Sequence, residues 1–166
     1  RDFSARNLEE TAALSADAVH QALGEATATS MVVPTAERAV FRFSHVLIRD
    51  RIYAEILPSA RAGIHLRAGT ALLLQGEAAS LPAAAHHFFE AQGAATAERV
   101  AEVALSAAES CLSRLAFEEG ARLARRGLGV ATTNQSSESL RARLELVLAE
   151  SVIRLGDAVQ GRALCV

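Results

Sequence analysis

The 166-residue chain contains no lysine and no tryptophan, one methionine, one tyrosine, three prolines and two cysteines. Each scarcity excludes something. Without lysine there is no GxxxxGK[ST] phosphate loop. Cys111 and Cys165 are too few for a disulfide scaffold, and they point to a reducing compartment and a cytoplasmic location. No CxxC or HExxH motif occurs. No uncharged apolar run approaches the roughly 18 residues that span a bilayer, so no membrane partner is expected. The charged residues of segment 1–10 rule out the apolar core of a signal peptide. A formal net charge of −2 lacks the basic excess of a free nucleic-acid binder.

What the chain does have is alanine. Thirty-six alanines among few prolines predict a nearly all-helical protein. Ser4 is placed to cap a helix through about Leu14, and Ser15 to cap a second, with Asp17 in its first turn and Val19, Leu23 and Ala26 on its apolar side. The period then changes. Met31–Val33 and Val40–Phe43 read as a small hairpin in which Phe41 and Phe43 share a face and Arg42 meets water. Ser44 is the expected cap of the next helix, which Pro58 ends while opening another.

From residue 58 onward helices follow one another. They span about 59–75, then a segment opening at Ser80-Leu81-Pro82 and stopping near Gly93. Thr96 caps a long helix with the stripe Val100, Ala104, Ala107, Ala108, Cys111 and Leu115. A partner covers 117–130, the clearest loop is 131–139, and the last long helix carries Leu140, Leu144, Leu148 and Leu155. Segment Leu115–Gly120 resembles Leu155–Gly161, with Gly120 and Gly161 41 residues apart, and Ala108 stands at the same offset of 41 from Ala149. Small residues at such positions let antiparallel helices cross closely. Ala108, Phe117, Gly120 and Gly127 resemble the small and aromatic positions of a tetratricopeptide-type repeat, lengthened at the 131–139 loop and lacking the closing proline. The expected fold is therefore mainly α. A small winged-helix subdomain with a β-hairpin occupies 1–57. Antiparallel helical hairpins of a tetratricopeptide-like α-solenoid, truncated at the C-terminus, occupy 58–166.

Candidate chemistry is sparse. His86 and His87 are neighbours on one helix and point about 100° apart, which does not suit one metal ion. Cys111 on an apolar stripe reads as a buried thiol. In a DNA-reading winged helix the second helix would enter the groove. Here it carries Asp17, Gln21 and Glu25 and no arginine, so no direct nucleic-acid contact is expected.

The most specific stretch is Phe41-Arg42-Phe43-Ser44-His45-Val46-Leu47-Ile48-Arg49-Asp50-Arg51-Ile52-Tyr53, in which His45, Arg49 and Tyr53 share a helix face. It is followed by Leu57-Pro58, Arg61, His65 and then Leu81 to His87. With Arg1-Asp2-Phe3 ahead of it, this resembles the region after the ATPase core in large bacterial STAND-type regulators. That group includes the large ATP-binding LuxR-type transcription regulators and ATPase-bearing nucleotide cyclases. The resemblance covers roughly 1–130 and more loosely the rest. It implies a non-catalytic regulatory segment of a multidomain ATP-dependent signalling protein, with no cofactor of its own and ATP or ADP and Mg in the parent chain. It implies as partners an adjoining ATPase domain and an effector or partner protein on the helical repeats. It also implies one site. His45 stands where related proteins carry the histidine of a Met-His-Asp motif that contacts a phosphate of ADP, although Ser44 and Val46 depart from the Met and the Asp. A helix N-terminus also favours an anion. The competing reading of His45 is the first residue of its helix, packed against the hairpin and the first helix. The alternative functions are a stand-alone DNA-binding winged helix with a helical dimerisation arm, or the regulatory segment of a cyclase. An apolar helix face near Val166 predicts self-association through that end.

Overall fold

A computed structural model describes residues 2–12, 14–91, 93–134 and 137–164. The fold is mainly α, with one small antiparallel sheet. Cys165, Val166, Arg1 and part of the 131–139 loop fall outside the described residues, and with them the expectations placed there.

The head is built from β1 (Asp2–Ser4), α1 (Ala5–Ala12), α2 (Ala16–Ala28), β2 (Val32–Pro34) and β3 (Val40–Phe43). The hairpin forms as expected, with Val33 opposite Arg42. The sequence reading missed β1, which adds to the other edge of β3 and gives the sheet order β1-β3-β2. The alternation of β3 explains the head's core. Phe41 and Phe43 turn inward and meet the ring of Phe3 at 6.4 and 5.7 Å. They pack on buried Ala5, Val19, Leu23 and Val32. Ser15 caps α2 by accepting the Ala18 N–H, and Ser4 accepts the Asn7 N–H at the start of α1.

α3 (Val46–Glu55) follows β3, and α4 (Pro58–Leu74) begins on the helix-compatible φ of Pro58. The cap of α3 differs from expectation. Ser44 directs its hydroxyl to the carbonyls of Ser30 and Met31 at 2.6 and 3.2 Å, tying the strand end to the turn after α2. His45 takes the capping role instead, its Nδ1 accepting the Leu47 N–H at 3.3 Å.

A short 3-10 turn (Ala78–Ser80) then leads to α5 (Leu81–Glu90), α6 (Ala97–Ser113), α7 (Phe117–Thr133), α8 (Glu138–Arg154) and α9 (Ala158–Ala163). Consecutive helices pack against one another, and α6 also touches α8, as in a stack of hairpins. The core of this stack is a single cluster that includes Phe88, Val100, Leu123, Leu144 and Leu148. Thr96 caps α6 by accepting the Arg99 N–H. Two expectations need correction. α7 continues to Thr133 with Ala131 fully buried, so the loop begins later than residue 131. Leu115 and Leu155 are not on the buried stripes; each sits just past its helix and is exposed.

The 41-residue offset is physical. The Ala116 N–H donates to the Cys111 carbonyl at 2.9 Å, and Asp157 repeats this toward Val152 at 3.1 Å. Leu115 and Gly156, also 41 apart, both adopt a left-handed backbone. These are the marks of a Schellman-type helix end. Gly120 faces the carbonyl of Ala108, and Gly161 faces that of Ala149. At Gly127 three helices meet. A Cβ there would lie 2.8 Å from the Ala104 Cβ and 3.0 Å from Leu144.

Head and stack are joined along α4. α1 packs against it, Arg67 donates to the Thr11 carbonyl at 2.7 Å, and Gln75 reaches Glu10 at 3.3 Å. No helix among the described residues is long and apolar enough to cross a membrane.

Candidate functional site

α3 is the least covered helix of the described chain. None of its ten residues is buried, and Val46, Leu47, Ile52 and Tyr53 are exposed. His45, the predicted nucleotide contact, stands exposed at its N-terminus. Because Nδ1 accepts a backbone N–H, the neutral ring carries its proton on Nε2. That leaves an N–H donor pointing away from the cap, of the kind that suits a phosphate oxygen. Arg49, on the same face, is engaged with Asp50 at 2.6 Å. α2, the element that would enter a DNA groove, has Gln21 donating to Glu25 at 3.0 Å, so its one base-reading amide is occupied within the helix.

The sequence reading missed the most developed polar cluster. Tyr53, at the far end of α3, places its hydroxyl 2.9 Å from His65 Nε2 on α4. His65 Nδ1 then lies 2.9 Å from His87 Nδ1 on α5. His86 stands beside the pair, its ring 6.4 Å from that of His65. Arg61 lies over the Tyr53 ring at 5.0 Å, a cation–π distance. Burial pushes His65 below the ordinary histidine range. Glu90 opposes the shift, while His86 and Arg61 reinforce it. A neutral His65 fits this geometry, since one proton belongs in each of its two hydrogen bonds. Two protons facing each other between the Nδ1 atoms would repel. The cluster thus pins three helices together at the point where the head gives way to the stack. His86 and His87 are neighbours in sequence, yet the ring that hydrogen-bonds His87 comes from 22 residues earlier. Among the described residues no group of three or more His, Cys, Asp or Glu side chains is arranged to hold a metal ion.

Two further surfaces flank this junction. A groove of about 500 Å³ runs between α1 and α4, lined by Arg6, Glu10, Leu66, Arg67 and Leu74. A more polar one of about 460 Å³ lies between the start of α6 and the end of α7, where Arg126 stacks on Phe89 at 4.0 Å. Cys111 is buried on the α6 stripe, and burial raises its thiol above the usual range, followed in effect by Glu119. It packs there as a small apolar member of the core.

No family model, curated protein or solved structure matches this chain.

Proposed function

We propose that this chain is a regulatory, non-catalytic segment of a multidomain ATP-dependent signalling protein, of the STAND type that its sequence resembles. In this reading the head packs on an ATPase core elsewhere in the parent chain, and the helical stack takes an effector or partner protein. The parent is a LuxR-type transcription regulator.

The observation that carries the reading is α3. A helix that buries none of its residues yet presents Val46, Leu47 and Ile52 to solvent is a surface made for a covering partner. His45 stands at its exposed start with Nε2 directed away from the cap. The cluster of Tyr53, His65 and His87 at its other end ties that surface to α4 and α5. A nucleotide that prefers one arrangement of α3 against the core would thereby bias the stack, which is the requirement for coupling two sites.

The test is the His45→Ala change in the parent chain. ADP binding, followed by equilibrium dialysis, weakens and basal output rises. Unchanged ADP affinity removes the sensor role of His45.

A further inference from the structure

The stack contains its own template for what covers α8. On α6, Glu98, Arg99, Glu102, Leu105 and Ser106 line a groove shared with α8, and Glu109 reaches across to that helix. α8 meets them with Leu140 and Arg143, and the Arg143 guanidinium donates to Glu109 at 2.8 Å. Under this contact Leu105 is 3% exposed.

Shifting by the 41-residue repeat carries Leu105 to Leu146, Glu109 to Glu150 and Leu112 to Ile153. The repeat is established by backbone hydrogen bonds, the left-handed residues and the glycine contacts, so these positions occupy equivalent places on α8. Their surroundings differ sharply. Leu146 is 62% exposed in mid-helix, whereas Ile153 packs against Gly161 of α9. Among the described residues Glu150 pairs with Arg154 on its own helix, at 3.4 Å, with both side chains half open to water. A leucine four residues before a carboxylate is the same chemistry that α6 uses to seat α8 with Leu105 and Glu109.

We propose that the outer face of α8, formed by Leu146 and Glu150, docks an amphipathic partner helix bearing leucine and arginine three residues apart. This is the pattern with which Leu140 and Arg143 of α8 cover α6. The leucine fills the step beside Leu146, and the arginine pairs with Glu150 as Arg143 pairs with Glu109. The proposal rests on the reading of the stack as a partner-binding surface. It is independent of any role of His45 in nucleotide binding.

The probe is a lactam-locked peptide of residues 137–154 in which Leu146→Gln and Ile153→Gln leave only the covering face. Its binding to the 1–166 chain is followed by fluorescence anisotropy. Saturable binding is expected, weakened about tenfold or more by Leu146→Asp or by Glu150→Arg in the protein. A peptide carrying Arg143→Glu binds the Glu150→Arg protein better than the unchanged peptide does, because the charges are exchanged across the contact. Both protein substitutions are at exposed positions, and circular dichroism melts check that each variant folds. Three results overturn the proposal. The first is no binding up to millimolar peptide. The second is binding indifferent to Leu146 and Glu150. The third is association of the chain with itself, seen by sedimentation without peptide and abolished by Leu146→Asp, which makes a second copy the occupant. Because the assay contains no nucleotide, its failure leaves the His45 test standing.

Discussion

Two glycines two residues apart on α7 give the sharpest test of the packing described here. Gly127 and Gly129 lie in the same helix, so replacing either with alanine gains the same intrinsic helix preference, about 0.8–1 kcal/mol. Their surroundings separate them. A Cβ on Gly129 meets nothing within 4 Å. A Cβ on Gly127 would stand 2.8 Å from the Ala104 Cβ and 3.0 Å from a Leu144 methyl. Ala104 has no rotamer by which to retreat, so α6 and α7 must move apart. Overpacking of this kind costs about 1–3 kcal/mol. Gly129→Ala should therefore raise stability by up to about 1 kcal/mol. Gly127→Ala should lower it by up to about 2 kcal/mol, after the propensity gain is subtracted. For a chain of this size 1 kcal/mol moves Tm by about 2–4 °C. The two variants should thus bracket the wild type in a circular dichroism melt, and urea midpoints should follow the same order. Equal stabilisation by both substitutions would refute the three-helix crossing at Gly127.

Two further predictions concern titratable groups. The pKa of His65 is lowered in the folded chain, so the unfolded chain binds the proton more readily. Stability is then present above the ordinary histidine value and is lost as pH falls from it toward the depressed folded value. Urea midpoints between pH 7 and 5 should accordingly fall less steeply for His65→Asn than for the wild type, and parallel slopes would remove His65 as the responsible group. The buried, upward-shifted thiol of Cys111 should react with iodoacetamide at pH 8 far more slowly in native buffer than in urea, as read by mass spectrometry of the peptide containing it.

How much of this was legible in the sequence depended on how local the cause was. Ser15 and Thr96 act within three residues, and both cap where their neighbours predict. The 41-residue offset was visible as spaced small residues, and it corresponds to repeated helix ends and close crossings. Ser44 looked like an equally good cap. Its hydroxyl is instead taken by carbonyls 13 and 14 residues away, a competition that no local pattern reveals. β1 escaped notice because three residues are too few to show alternation, and its strand identity comes wholly from pairing with β3. The polar neighbours of Ala131 predict a loop, whereas burial against the stack extends α7 through it. The junction cluster was the least accessible. Tyr53, His65 and His87 come from three helices, and only the approach of α4 to α5 brings the last two together. Gly69 permits that approach, since a Cβ there would meet the Phe88 ring at 2.8 Å.

The position of α4 has a mechanical consequence. Seventeen residues at 1.5 Å each make a rod about 26 Å long. Tyr53 meets it near the start through Arg61 and at mid-length through His65, while α1 holds it through Arg67 and, just beyond its end, Gln75. A tilt of about 10° about one end carries the other through about 4–5 Å, nearly half the spacing between packed helices. A modest swing of the head would thereby reach α5 as a displacement too large for side chains alone to absorb, and the hairpins downstream would have to slide or turn as a body.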